Sequence, residues 1–317
     1  MSRSDKPVAD KCPRFSFLIV SYNTLPLTRA AIASVEKFTA AFPHEVILVD
    51  NHSTDGSVAA LRGEFPLLKI IALEENRGFA AANNAGAKIA SGDWLVLMNS
   101  DAELLADTLA VVDGLLRQNP ELDVLGGQLI FPDGSLQTSA AGVQKRQHDE
   151  NEQNELIPVT GIVGAFMVIH RELWFRLNGM DEGFFFYGEE SDFCTRAIQA
   201  GAVLRWSQRF QVLHHRSGSS KKVNLRADIE FWESQHHSWR KTMSETEFRC
   251  HFRRWMYRFF LRVIWYFSLS LLSLFLLPSL TGRLRKYFHL LQWHWRGCPA
   301  GWGLRPLPAK AEFSKVL

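Results

Sequence analysis

The chain has no CxxC pair, no GxGxxG turn, no apolar leader and no internal repeat. Each absence removes a class of protein. Its four cysteines, Cys12, Cys194, Cys250 and Cys298, lie far apart in 317 residues. That spacing excludes a disulfide framework and a cysteine-pair zinc site, and it fits a reducing compartment. Without GxGxxG, a dinucleotide-binding Rossmann site is not expected. The opening MSRSDKPVADKCPR is polar, so residues 1–13 read as a disordered N-terminus with no secretory signal. A hydrophobic fraction of 46% against 22% charged residues excludes an intrinsically disordered chain and leaves a globular one.

What is present is unevenly distributed. From Arg240 to the end there are 14 Lys and Arg against 3 Asp and Glu, or +11, so the first 239 residues carry −8 of the overall +3. The basic part also holds a dense cluster of Trp, Phe and Leu. Arg254, Arg258 and Arg262 recur every four residues and share one helix face. Residues 263–280, VIWYFSLSLLSLFLLPSL, hold no charge. As one helix they would measure about 27 Å, marginal for a bilayer core. Lying in the membrane interface, spanning it, and packing as a buried core or dimer helix all remain open. Basic residues on both flanks favour a cytoplasmic leaflet. The expected place is the cytoplasmic face of the inner (cytoplasmic) membrane. Residues 250–296 are the expected membrane contact, and nucleic acid is not an expected partner.

Ahead of the tail, short apolar runs alternate with helical patterns. The runs are FSFLIVSY (15–22), EVILVDN (45–51), LLKIIAL (67–73) and WLVLMN (94–99), with helices expected near 26–40, 55–63 and 79–90 and a cap at Ser53 or Thr54. This predicts an α/β fold with a mostly parallel sheet flanked by helices. A helix over 103–118 follows, then strands near 124–131 and 161–170, a mobile surface loop over 132–156, a helix ended by Gly201, and two short strands, VLRWSQ and QVLHH. The domain boundaries read as 14–239 and 240–317, with the first split near 131/132.

Every early strand ends in polar residues: Ser21-Tyr22-Asn23, Asp50-Asn51, Asn76, and Asn99-Ser100-Asp101. One such end is a turn, but four on one edge of a parallel sheet form a polar crevice where ligands bind. Asp50 can accept from a base N–H or a ribose hydroxyl, or cap the next helix. ENRGFAAANNAGA (75–87) places small residues at a strand–helix turn, where backbone can approach an anion. Asn99-Ser100-Asp101 offers oxygen ligands for Mg²⁺ or Mn²⁺ beside a diphosphate. Glu189, Glu190 and Asp192 form the densest acidic cluster, suited to a general base or to the start of a helix. Either His214 or His215 could bind metal.

SFLIVSYNT, VILVDNHSTDGS, ENRGFAAANNAG, GDWLVLMNSDAE, GAFMVIHRELWFRLNGMDEGFFFYGEESDFCTRA and VLHHRSGSS stand in the order seen in family 2 inverting glycosyltransferases. The chain resembles their bacterial rhamnosyltransferase-like branch over about residues 14–220. The resemblance implies a GT-A, Rossmann-like fold, a nucleoside-diphosphate sugar donor, and Mg²⁺ or Mn²⁺. It implies transfer, possibly of rhamnose, to a hydroxyl of a glycan or lipid-linked acceptor in cell-envelope polysaccharide synthesis. Donor binding would fall to Ser21, Tyr22, Asn23, Asp50, Asn51, Asn76, Arg77, Gly78, Asn83, Asn99 and Asp101. Metal would fall to Asp101 and His214. Glu190 takes the place of the catalytic base, with Asp192 and Glu189 beside it. Asn99 and Glu190 each stand where the family pattern usually has Asp. Those departures keep one alternative open, a catalytically weak membrane-associated scaffold subunit that binds nucleotide sugar. A nucleotidyltransferase is disfavoured, because no Gly-rich loop with a phosphate-binding Lys follows the first strand.

Overall fold

The computed structural model describes residues 13–142, 156–216 and 224–305. They form two compact units. The first comprises residues up to 182 together with 189–219, and the second comprises 183–188 and the chain from 220 onward. The helix spanning residue 239 therefore belongs wholly to the second unit.

In the first unit, strands β1 (Phe15–Ser21), β2 (His44–Asp50), β3 (Lys69–Ala72) and β4 (Trp94–Asn99) alternate with helices α1 (Leu25–Thr39), α2 (Ser57–Glu64) and α3 (Gly78–Ile89). Then come β5 (Ala102–Leu104), α4 (Thr108–Gln118), β6 (Val124–Ile130), β7 (Ala140–Ala141), β8 (Ile157–Pro158), β9 (Gly161–Ile162), β10 (Phe166–His170), α5 (Arg171–Arg176), α6 (Glu189–Gln199) and β11 (Leu204–His214). The main sheet runs β3-β2-β1-β4-β10-β6-β11-β5, with β8 on β11. Its first four strands are parallel. The rest is mixed, a departure from the mostly parallel expectation: β10 runs antiparallel to both β4 and β6. No described helix lies between β6 and β10, and only a crossover of that kind returns a chain parallel.

Helices cover both faces, which is why the strands read as unbroken apolar runs. Phe15, Phe17 and Ile19 of β1 face Ile32 and Val35 of α1 and Leu109 and Val112 of α4 in one core. On the other face α3 packs closely at Gly86: a Cβ there would press on side-chain methyls of Val49 at 3.0 Å and Leu18 at 3.3 Å.

Four local expectations change. Helix α2 starts at Ser57, after Gly56 in the left-handed conformation, so neither Ser53 nor Thr54 is its cap. Residues 103 and 104, expected to open a helix, belong to β5, because β11 pairs with them antiparallel. The two short strands expected near 203–215 are one strand with a register shift between Ser207 and Gln211. Within the expected loop 132–156, Leu136 bridges Ile130 and Ala140–Ala141 pair with Gly161–Ile162 in a second, two-stranded sheet, while 143–155, like 1–12, lie outside the described residues.

The second unit is helical: α7 (Asn224–Thr242), α8 (Glu245–Leu272) and α9 (Pro278–Trp295). Ser244 and Glu247 start α8 with a reciprocal capping box. Ile229, Phe259, Leu290 and Trp293 form its core. The uncharged run 263–280 is not one helix. Helix α8 stops at Leu272, Leu274 and Phe275 take positive φ, and Pro278 opens α9. Among the described residues no helix is long and apolar enough to cross a membrane.

Candidate active site

The polar strand ends assemble as the topology requires. Parallel pairing of β1 with β2 and β4 brings Ser21, Asp50 and Asn99 to one edge. Hydrogen bonds knit the loops beyond them. Asn23, at φ 54°, accepts from Thr54 N–H at 2.8 Å and donates its own N–H to Ser53 Oγ at 2.9 Å. Thr24 Oγ1 donates to Ser100 Oγ at 3.1 Å. Asn51 accepts from Arg77 N–H at 2.8 Å and donates to Gly78 O at 3.1 Å, so it fixes the turn into α3. Asn76 accepts from Gly78 N–H.

Not every expected contact faces the crevice. Ser21 is buried and its hydroxyl pairs with Thr28 at 2.9 Å. Asn83 lies inside α3 and donates to Phe79 O one turn back. Arg77 pairs with Glu182 at 3.0 Å. Asn51 acts on the backbone. These four shape the scaffold, whereas Tyr22 is exposed. Asp50 differs from them. It is 2% exposed, one oxygen accepts from Ser53 N–H at 2.9 Å, and Oδ1 has no hydrogen-bond partner among the described residues. A buried carboxylate oxygen left over is a receptor for a donor group.

The densest part of the site comes from strand pairing that no local pattern announces. Asp101 follows β4 and His214 ends β11. The antiparallel register of His214 with Ala102, and a bond from His215 N–H to Asp101 O at 2.9 Å, set the two side chains together. His214 Nε2 lies 3.3 Å from Asp101 Oδ1, and both residues are buried. His215 turns away to Glu103 at 2.6 Å. Gln137, which the sequence reading left in a surface loop, holds the His214 ring. Its amide donates to His214 O at 2.5 Å and its Oε1 meets Nδ1 at 2.9 Å. An amide oxygen only accepts, so Nδ1 carries a proton and Nε2 is the ring atom turned to the carboxylate. The O,N donor pair fits Mn²⁺ well, and Mg²⁺ with more reliance on oxygen.

The acids open α6. Glu189 is buried and Glu190 half-buried. Glu190 packs against Gly164, whose added Cβ would meet Glu190 Cβ at 3.6 Å. The next residue, Ala165, accepts from Asn99 N–H at 3.0 Å, so the acids and the end of β4 meet across one dipeptide. Asp192 has a different task. It holds Arg196 at 2.7 Å, and Arg196 in turn binds Leu177 O and Gly179 O. Asn84, also unforeseen, clamps Met180 through both its amide N–H and its carbonyl. Burial pushes the Cys194 thiol of α6 up to about 11, so it is no nucleophile.

Comparison with known proteins bears on the family and the fold. The Glycosyl transferase family 2 pattern matches residues 16–175, and the N-terminal domain of galactosyltransferase pattern matches 146–216. An O-antigen biosynthesis protein of Myxococcus xanthus is 26% identical over 70% of this chain, which spans only 19% of that protein. An N-acetylglucosaminyl-diphospho-decaprenol L-rhamnosyltransferase of Mycobacterium tuberculosis is 25% identical over 63% of this chain and 76% of its own. Among solved structures, S. aureus TarS 1–349 in complex with UDP-GlcNAc superposes with a TM-score of 0.55 at 18% identity, over 74% of this chain and 69% of that one. GalNAc-T7 with UDP, GalNAc and Mn²⁺ gives 0.52 at 20%, over 64% and 44%. The fold is thus GT-A-like, and with a family pattern covering half its length the chain belongs to glycosyl transferase family 2.

Proposed function

We propose that this enzyme moves a sugar, with inversion, from a nucleoside-diphosphate sugar to a hydroxyl of a lipid-linked or glycan acceptor in cell-envelope polysaccharide synthesis. The observation that carries the reading is the buried Asp101–His214 pair, set by Gln137 at the end of β4. Asp50 Oδ1 receives a donor N–H or O–H, and the turn fixed by Asn51 frames it. Asp101 and His214 would hold a divalent ion, which when bound offsets the charge of the departing nucleoside diphosphate. Glu190 takes the proton of the acceptor hydroxyl. The acceptor oxygen bonds to the anomeric carbon as the bond from that carbon to the diphosphate oxygen breaks, and the electron pair leaves with the diphosphate. Asp192, committed to Arg196, holds the loop instead. The M. tuberculosis relative, a rhamnosyltransferase, supports rhamnose as the sugar, and the superposed complexes with UDP and UDP-GlcNAc support a uridine nucleotide.

The second unit supports work at a membrane surface, on its cytoplasmic face. Phe260, Leu261, Ile264 and Trp265 are exposed on α8, Leu272 is 81% exposed, and Leu276 is 76% exposed. Arg258 and Arg262 lie beside them, with Arg283 and Arg285 on α9. Apolar side chains rimmed by cations suit the interface of an anionic bilayer.

Thermal stability of the full chain with UDP-, dTDP- and GDP-sugars, with and without Mn²⁺, tests the donor site. A ligand of the folded state adds about 2.7 kcal/mol at a hundred times its Kd. A metal-dependent rise with one nucleotide class is expected. No rise with any, in folded protein, overturns the reading.

A further inference from the structure

The second unit holds a group of side chains that glycosyl transfer does not use. His236 on α7, His294 on α9 and Cys298 just beyond α9 place one ligating atom each within 4.8 Å of one another. His236 is 4% exposed and His294 is 2% exposed, and Nε2 of each has no hydrogen-bond partner among the described residues. The His294 tautomer is fixed: Nδ1 lies 2.7 Å from Leu290 O, a pure acceptor, so Nε2 carries a lone pair. His236 Nδ1 lies 3.9 Å from Cys298 Sγ. The His236 ring lies parallel to Trp293, with centroids 5.8 Å apart, and edge-on to His294 at 5.1 Å.

The backbone around Cys298 is shaped to bring the thiol here. Gly297 and Cys298 both take positive φ, at 79° and 58°. That conformation is uncommon for a residue with a side chain. Cys298 N–H caps α9 through Trp293 O at 3.0 Å, and Trp293 Nε1 donates to Pro299 O at 3.1 Å. The turn therefore folds the sulfur back toward α7. Two imidazoles and a thiol at their side make a soft-to-borderline donor set.

We propose that His236, His294 and Cys298 form a structural Zn²⁺ site that clamps α7 to the end of α9. On binding, the Cys298 S–H bond breaks, the sulfur bonds the ion and the proton passes to solvent. Zinc bonds of about 2.0–2.1 Å to nitrogen and about 2.3 Å to sulfur bring such atoms to roughly 3.5 Å apart, within reach of small side-chain rotations from the present spacing. Two charged groups act on the trio from α7. Burial raises the Cys298 thiol, Arg240 opposes it, and Glu233, one turn before His236, adds to the rise. His294 and Cys298 stand four apart, but His236 comes from another helix, so no single spacing in the sequence announces the whole site.

The test is a Co²⁺ titration of the chelator-stripped full chain, watched by absorption. One equivalent should bring a thiolate-to-cobalt charge-transfer band and intense tetrahedral bands, both removed by Zn²⁺. Cys298→Ser should lose the charge-transfer band. His294→Gln should weaken binding at least tenfold with the helical circular dichroism unchanged. Asp101→Ala should leave the band intact, since the donor site has no sulfur. Peptide mapping needs no variant: Zn²⁺ should slow iodoacetamide labelling of Cys298 at least tenfold. Absence of a thiolate band in the folded wild-type chain, a band that survives Cys298→Ser, or labelling indifferent to Zn²⁺ overturns the site and leaves the trio as packed neutral side chains.

Discussion

Both units bury an apolar core, but they differ in what they leave outside. In the first, Phe15, Phe17, Leu18, Ile47 and Leu97 are fully buried, and its buried polar groups mostly meet partners. Glu45, for example, accepts from Ser16, Ser91 and Lys69. Its burial pushes the carboxyl up, but those bonds outweigh burial and bring it down to about 2. In the second unit Glu230, Ser234, His236, Ser270 and His294 are inside, while Phe260, Trp265, Phe267, Leu272 and Leu276 stand outside. The first unit is built against water. The second presents a surface that water solvates poorly, and a contiguous surface of that kind marks an interaction site. On the proposed reading chemistry and placement are separate, and variants can test each half alone.

The largest expected effect lies in the first unit. Glu190→Gln and Asp101→Ala should each lower kcat by more than about a hundredfold, the scale of losing a general base or a preorganised charge. Initial rates with donor and acceptor measure it. The two should differ in binding: Glu190→Gln keeps the Mn²⁺-dependent stability rise with donor, and Asp101→Ala loses it. Near-wild-type turnover in a folded variant ends that residue's assignment. Neither change should alter sedimentation with vesicles, because neither touches the second unit.

The next effect should run the other way. Trp265→Glu with Leu272→Glu removes two exposed apolar side chains and adds two negative charges. Roughly 1 kcal/mol lost per residue amounts to about thirtyfold in partition onto anionic vesicles. Turnover on a water-soluble acceptor analogue should hold. If partition is unchanged, the outward apolar face is not a membrane surface and the contrast between the units needs another cause.

How legible each part was follows from the range of the interactions that make it. Strands β1, β2 and β4 and helices α1 and α3 announce themselves within a few residues, through apolar period and polar ends. Asp50 and Asp101 were visible because they stand at those ends, and Glu190 because it lies in the densest acidic cluster of the sequence. What was hidden depends on distant pairing. Ala102-Glu103-Leu104 has the composition of a helix, yet β11 makes it a strand, a tertiary override of local propensity. The uncharged run 263–280 looked continuous, and the turn at Leu274 and Phe275 breaks it. Gln137 lies in a stretch of Ser, Thr, Gln and Gly with no period at all. Its role exists only because β11 ends beside it.

Gln137 gives the smallest effect and the finest test of the site. Its amide makes two bonds to His214 that together choose the tautomer and fix the ring. Gln137→Ala leaves the ring free to rotate and leaves Nδ1–H without its acceptor. Outer partners of metal-ligating histidines typically matter by ten- to a hundredfold in metal affinity. Here the bond to His214 O is backbone support that β11 partly replaces through its register with β5 and β6, so about tenfold is expected. The readout is the Mn²⁺ concentration that half-saturates the donor-induced stability rise, which a purely structural role would not move. Gln137→Glu separates the two bonds. It keeps an acceptor for Nδ1–H and loses the donor to His214 O, so it should recover most of the affinity. If Ala and Glu weaken Mn²⁺ equally, the backbone bond carries the effect, and the choice of tautomer does not.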